Sequence, residues 1–151
     1  MEVFSQILEL DDDDDDDEFS RGMVNDYFSQ AEKTFIDMDD ALCVELCPFS
    51  LPTCLLAFRK KKDLESLSSL GHFLKGSSAA LGVYKVQSSC EDIQHYGQLK
   101  EGNKVIREEY AITKIGTTLA RAREEYETAK SSLQQFYCKQ DGKGLLVGKS
   151  D

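Results

Sequence analysis

Residues 110–137 read YAITKIGTTLARAREEYETAKSSLQQFY, and the spacing of their apolar positions decides the architecture. Ile112, Ile115, Leu119, Ala122, Tyr126, Ala129, Leu133 and Phe136 alternate three and four residues apart without a miss. On a helix of 3.6 residues per turn all eight share one stripe, which is stable in water only when other helices cover it. The stretch therefore reads as the seam of a helical bundle.

Working outward, the segment KEGNK (100–104) reads as a polar, Gly-containing turn. Before it, Val83, Val86, Cys90, Ile93 and Gly97 share a stripe that predicts a helix over 83–97. Gly82 is placed to end a further helix over 63–81, since glycine adopts the left-handed C-cap freely. Phe19, Met23, Tyr27, Ala31, Phe35, Met38 and Leu42 predict a long helix over 19–42. Residues 3–10 (VFSQILEL) are a short apolar helix candidate stopped by the acidic run Asp11–Glu18, whose charge suits the start of the next helix. The expected fold is all-α: an antiparallel four-helix bundle with a short N-terminal lid helix. Residues 1–138 form the domain and 139–151, with their three glycines, a flexible tail.

Residues 43–62 (CVELCPFSLPTCLLAFRKKK) break this pattern. Bundle connections usually run ~2–8 residues, and removing this insertion would join Ala41-Leu42 to Lys62-Asp63 through an ordinary short turn. It reads as a loose excursion, for instance retained non-coding sequence translated in frame, with an apolar docking peptide as the alternative.

Composition narrows the function. Of the formal charge of −10, the acidic run supplies eight residues; the remainder sets 18 basic against 20 acidic residues, a balance of −2. A nearly neutral body with no basic groove argues against a nucleic-acid partner. The cysteines (43, 47, 54, 90, 138) are odd in number and follow no secretory leader, which predicts reduced thiols in an intracellular, cytoplasmic protein. The longest apolar cluster, Leu51–Phe58, contains Pro52 and falls far short of the ~20 residues that span a bilayer.

The segment that carries chemistry is LGHFLKGSSAALG, residues 70–82. At 100° per residue, Leu67, Leu70, Leu74 and Leu81 lie opposite His72. The leucines face the core, so the imidazole faces solvent together with Ser68, Ser69, Lys75, Gly76 and Ala79. A free imidazole titrates near ~6.5, so it offers a nucleophilic lone pair at neutral pH. Lys75 and Gly76 stand one turn on. The ammonium can offset the charge of a phosphoryl group, and the glycine lets another protein's backbone approach. Singly, Lys75 is an ordinary solvated charge and Gly76 a tolerated weak spot; on one face with His72 they form a constellation. From Ser66 through Cys90 there is no Asp or Glu, and no base, orienting group or metal ligand accompanies His72 as an enzyme would need.

These residues carry a resemblance. HFLKGSSAALG (72–82), followed by SCEDIQ (89–94), resembles the histidine-containing phosphotransfer (HPt) domains, and within them the fungal phosphorelay intermediates between hybrid sensor kinases and response regulators. The similarity runs from about Val3 to Tyr137, interrupted by 43–61. It implies that His72 is the phosphoacceptor, Lys75 the phosphate-side cation, Gly76 the docking clearance, and Gln94 a hydrogen-bonding neighbour. Gln98 stands where the family often has a basic residue.

The resemblance further implies that a receiver domain docks over Ile7, Leu10, Phe19, Met23 and Phe73, with a core role remaining open for Met23. The partners are then receiver domains of a hybrid histidine kinase and of response regulators. The receiver supplies the aspartate and Mg²⁺, so the chain needs no cofactor of its own and is a carrier without autonomous kinase or phosphatase activity. A monomer, in the cytoplasm with the nucleus as a second location, completes the expectation. The rivals are a non-catalytic helical adaptor and a metal-dependent helical enzyme. The acidic run lacks the layout of a calcium loop, and Cys43, Cys47 and Cys54 lack paired zinc spacing. Cys90 reads as a small core residue and His95 as exposed.

Overall fold

A computed structural model describes residues 2–11, 18–42 and 63–144. Among the described residues five helices run α1 (Glu2–Leu8), α2 (Glu18–Leu42), α3 (Leu64–Ala80), α4 (Tyr84–Gly97) and α5 (Glu108–Gly144). Between α4 and α5 a two-stranded antiparallel hairpin, β1 (Lys100–Glu101) with β2 (Lys104–Val105), pairs Lys100 with Val105 and Glu101 with Lys104. The fold is the expected bundle of α2–α5 with α1 across one end.

The core is one cluster. Val24, Tyr27, Ala31, Phe35 and Met38 of α2 meet Leu67 and Leu74 of α3, Val86, Cys90 and Ile93 of α4, and Ile115, Leu119, Ala122 and Tyr126 of α5. The expected α2 stripe holds in its middle and drifts at its start. Steps of four residues advance 400°, so each displaces the row by about 40°. Phe19 has thereby rotated out to 51% exposure and Met23 to the core margin, while Ser20 and Val24 take their places inside. On α5 the buried set begins at Ala111 and ends at Tyr137. α5 continues to Gly144, so residues 139–144 of the span read above as a tail are helical; residues 145–151 lie outside the described residues. Lys139, Gln140 and Asp141 contain no helix breaker, and extending a formed helix costs little.

Local chemistry sets the boundaries of α3. Asp63 is the N-cap, its carboxylate accepting from Ser66 N at 2.9 Å. At the other end Gly82 takes φ +72°, with Val83 N donating to Ser78 O (2.8 Å) and Gly82 N to Ala79 O (3.1 Å). That is the Schellman closure. Ala41 and Asp63 are joined by a hydrogen bond from Asp63 N to Ala41 O, 3.4 Å. Residues 43–62, read above as an insertion, lie outside the described residues, yet the two positions flanking them stand side by side.

α1 docks through Phe4 and Ile7, both buried. Phe4 packs edge-on against Phe136 and Tyr137 at 5.6 and 6.4 Å between ring centroids. Behind it, Asp11 accepts from Ser20 N at 2.9 Å, within the first turn of α2. One carboxylate of the acidic run thus satisfies an orphan helix donor. Residues 12–17 lie outside the described residues.

Candidate functional site

The α3–α4 contact builds the site. Gly71 precedes His72 and is buried. A Cβ there would lie 2.9 Å from Cys90 O and 3.0 Å from Gln94 N. Gly97 makes the reciprocal approach: its Cβ would fall 2.7 Å from Leu64 O and 2.8 Å from Ser68 N. Two absent side chains therefore let the helix backbones nearly touch, and α3 is locked in rotation about its axis. With Leu67 and Leu74 fully buried on the inner side, His72 is held outward and is exposed. Among the described residues its ring has no hydrogen-bond or ion-pair partner.

Around the imidazole the expected face is partly realised. Gly76 is exposed, with nothing within 4 Å of a Cβ placed on it, so the backbone lies open to an approaching surface. Ser69 is exposed too, but Ser68 is buried and donates to Gln94 O at 3.1 Å, because α4 crosses over it at Gly97. Gln94 packs with its backbone against Gly71, and its Oε1 is buried without a partner.

Lys75 departs from expectation. Its Nζ donates to Glu91 Oε1 of α4 at 2.7 Å, and the side chain is only 28% exposed. The carboxylate-free stretch in the sequence is thus not carboxylate-free in space. Glu91 lies three residues before Gln94 on the same face of α4, a spacing that makes them neighbours. The hydrogen bond from Lys75, then its charge, hold the Glu91 carboxyl below its usual range.

The apolar patch is also only partly as expected. Leu10 (65%), Phe19 (51%) and Phe73 (51%) are exposed, and Met23 sits at the core margin. Ile7 does not belong to this surface. At 7% exposure it is a core residue, since a two-turn helix seated through Phe4 must also bury its i+3 neighbour. Hydrogen bonds Tyr27–Ser78 (3.1 Å) and Ser77–Gln30 (3.3 Å) fix α2 antiparallel to α3. At 1.5 Å per residue that register puts Phe19 roughly 20 Å along the bundle from Phe73. Phe19 and Phe73 therefore do not form one spot.

Three residues of the site were not anticipated: Gly71, Gly97 and Glu91. The glycines carried a faint signal, since Gly71 lies four and three residues from Leu67 and Leu74 on their buried side. Among the described residues no group of three or more His, Cys, Asp or Glu stands close enough to hold a metal ion. None of the described helices is long and apolar enough to cross a membrane.

The sequence profile of the Hpt domain matches residues 22–131. This chain belongs to the Hpt domain family. The HPt bundle is 43% identical to multistep phosphorelay regulator 1 of Schizosaccharomyces pombe over 138 residues, which is 89% of this chain and 41% of that protein. It is 43% identical to the phosphorelay intermediate protein YPD1 of Candida albicans over 95 residues, 63% of this chain and 41% of that protein. The chain thus spans about two-fifths of the length of these relatives. Among solved structures it is similar to Saccharomyces cerevisiae Ypd1 in co-crystal with the receiver domain of its downstream response regulator Ssk1. There the TM-score is 0.67 and the identity 28%, over 90% of this chain and 91% of that one.

Proposed function

We propose that this HPt domain accepts a phosphoryl group from a receiver-domain aspartate onto His72 and passes it to the aspartate of a response regulator. The observation that carries this reading is the outward imidazole of His72, with Lys75 one helical turn on and a bare backbone surface at Gly76. Family membership and the co-crystal of a related protein with a receiver domain support the choice of partner.

The mechanism follows from what this face can and cannot do. The lone-pair nitrogen of His72 attacks the phosphorus of the aspartyl phosphate. A P–N bond forms as the P–O bond to the aspartate breaks, the aspartate leaves as a carboxylate, and the imidazole keeps its proton on the other nitrogen. Onward transfer is the same displacement reversed. Catalysis is mostly positioning and charge. Gly76 admits the partner's backbone, Lys75 offsets the charge arriving on His72, and Gln94, whose backbone packs on Gly71, is the hydrogen-bonding neighbour that the family resemblance implies. Leu10, Phe19 and Phe73, with Met23 at their margin, supply apolar area for docking. The receiver's own Mg²⁺ supplies charge to the phosphoryl oxygens. No cofactor is assigned to the HPt chain, and it acts as a carrier, not as an enzyme turning over a substrate. We place it in the cytoplasm and nucleus, as a monomer.

The test is transfer from a phosphorylated receiver domain in Mg²⁺. The receiver should lose its label to the wild-type chain within the mixing experiment and keep it when His72→Gln is added instead. A receiver that keeps its label beside the wild type would refute the reading.

A further inference from the structure

α3 carries one Lys or Arg, Lys75, and α4 carries one, Lys85, thirteen residues along the chain from His72. Lys75 is therefore the cation nearest in sequence to His72, and it is already engaged. Its Nζ meets Glu91 Oε1 at 2.7 Å with the lysine 28% and the glutamate 44% exposed. A phosphoryl group on His72 would approach a cation whose charge is spoken for. The contest is unequal: a phosphoryl group carries up to two negative charges against one on the carboxylate, and three acceptor oxygens. Lysine, a compact charge on a four-carbon stem, can swing between them, and Glu91 is exposed enough to be hydrated when released. His95, one turn beyond Glu91 on α4, adds only a weak pull on that carboxylate.

We propose that Glu91 is a positioning residue that holds Lys75 in reserve. It neutralises the ammonium while His72 is bare, and yields it to the phosphohistidine. This rests on the carrier reading given above and extends it. Because phosphorylation must break one ion pair to make another, Glu91 weakens the retention of the phosphoryl group and keeps the carrier from becoming a sink. The size of the effect is what one exposed ion pair can contribute, ~2- to 5-fold in an equilibrium.

Phosphoramidate tests this without any receiver. It phosphorylates a histidine directly: its P–N bond breaks, ammonia leaves, and a new P–N bond forms at the imidazole. The chain has two histidines, so with His95→Gln only His72 remains. In that background, loading should shift the Lys75 Nζ resonance and move the Glu91 carboxyl carbon to the position of a free carboxylate. At a fixed ratio of phosphoramidate to ammonia, Glu91→Gln should raise the phosphorylated fraction ratio ~2- to 5-fold, and should change nothing once Lys75→Ala is present. Equal effects in both lysine backgrounds, no effect in either, static Lys75 and Glu91 resonances, or failure to load His72 would each overturn the proposal. A chain that shows the exchange but takes nothing from a phosphorylated receiver would sink the carrier reading and leave the exchange standing. A chain that accepts from receivers yet ignores Glu91→Gln would do the reverse.

Discussion

Gly97 of α4 lies against Ser68 of α3 so closely that a Cβ on the glycine would come within 2.8 Å of the serine's backbone nitrogen. One turn along, Gly71 makes the same approach from α3 to Cys90 and Gln94. These two contacts, more than any polar interaction, decide which way His72 points, because helices packed backbone to backbone cannot rotate on one another. They also bring Glu91 to Lys75 and the Gln94 backbone to the helix that carries His72.

Gly71→Ala and Gly97→Ala should therefore destabilise the fold although alanine is the better helix former. Overpacking a tight contact typically costs ~1–3 kcal/mol, and here the opposing atoms are backbone, which cannot swing aside. Denaturant unfolding monitored by helicity should show a lower midpoint for both. A midpoint at or above wild type would mean that the helices are not in this contact.

Gly76 should behave in the opposite way. Nothing lies within 4 Å of its missing Cβ, so Gly76→Ala should stabilise the bundle by about 0.5–1 kcal/mol, the helix-propensity difference. Gly76→Gln should keep the fold and slow phosphotransfer by obstructing the partner. If the same unfolding measurement found Gly76→Ala destabilised, or if transfer to Gly76→Gln ran at the wild-type rate, Gly76 would have no clearance role.

The Ala41–Asp63 hydrogen bond makes a prediction about the chain between them. Replacing residues 43–62 with a two-residue Gly-Ser link should leave helicity and acceptance of phosphate unchanged. The bundle already brings the flanks together, so little loop-closure cost is added. Loss of the cooperative unfolding transition on this replacement would show that the segment contributes to the core.

Alkaline pH should weaken the fold. Burial pushes the Cys90 thiol from its ordinary 9.0 up to about 12, with Glu125 adding repulsion. Burial likewise pushes Tyr27 from 10.0 up to about 12, against the hydrogen bond with Ser78. Both are acids with raised folded values, so the unfolded chain loses its protons first, and stability falls as pH rises through about 9 to 12. Unfolding midpoints measured at pH 7, 9 and 10.5 should decline in that order. At pH 8 iodoacetamide should modify exposed Cys138 and spare buried Cys90, as read by peptide mass. Equal modification would contradict the burial of Cys90.

Much of this was legible in the chain itself. The three-four alternation on α5 and the leucines opposite His72 sufficed for the bundle and for the outward imidazole, because periodicity reports directly which side of a helix is wet. The resemblance at 72–82 suggested the roles proposed for His72, Lys75 and Gly76. What could not be read were the relations between helices. Ser68 looked solvated because nothing in its own helix reveals Gly97 above it. Lys75 looked free because Glu91 is sixteen residues away. Ile7 could belong to either face of a helix too short to show a period. Phe19 continued a row of four-residue steps whose slow rotation carries it out of the core.

The proposed relay turns on a single bond, phosphorus to an imidazole nitrogen of His72. Phosphorus NMR of the chain after incubation with a phosphorylated receiver domain reads it directly. One phosphoramidate resonance is expected, lost on brief acidification and absent from His72→Gln, with His95→Gln unchanged. A resonance that survives in His72→Gln, or that moves with His95 instead, would contradict it.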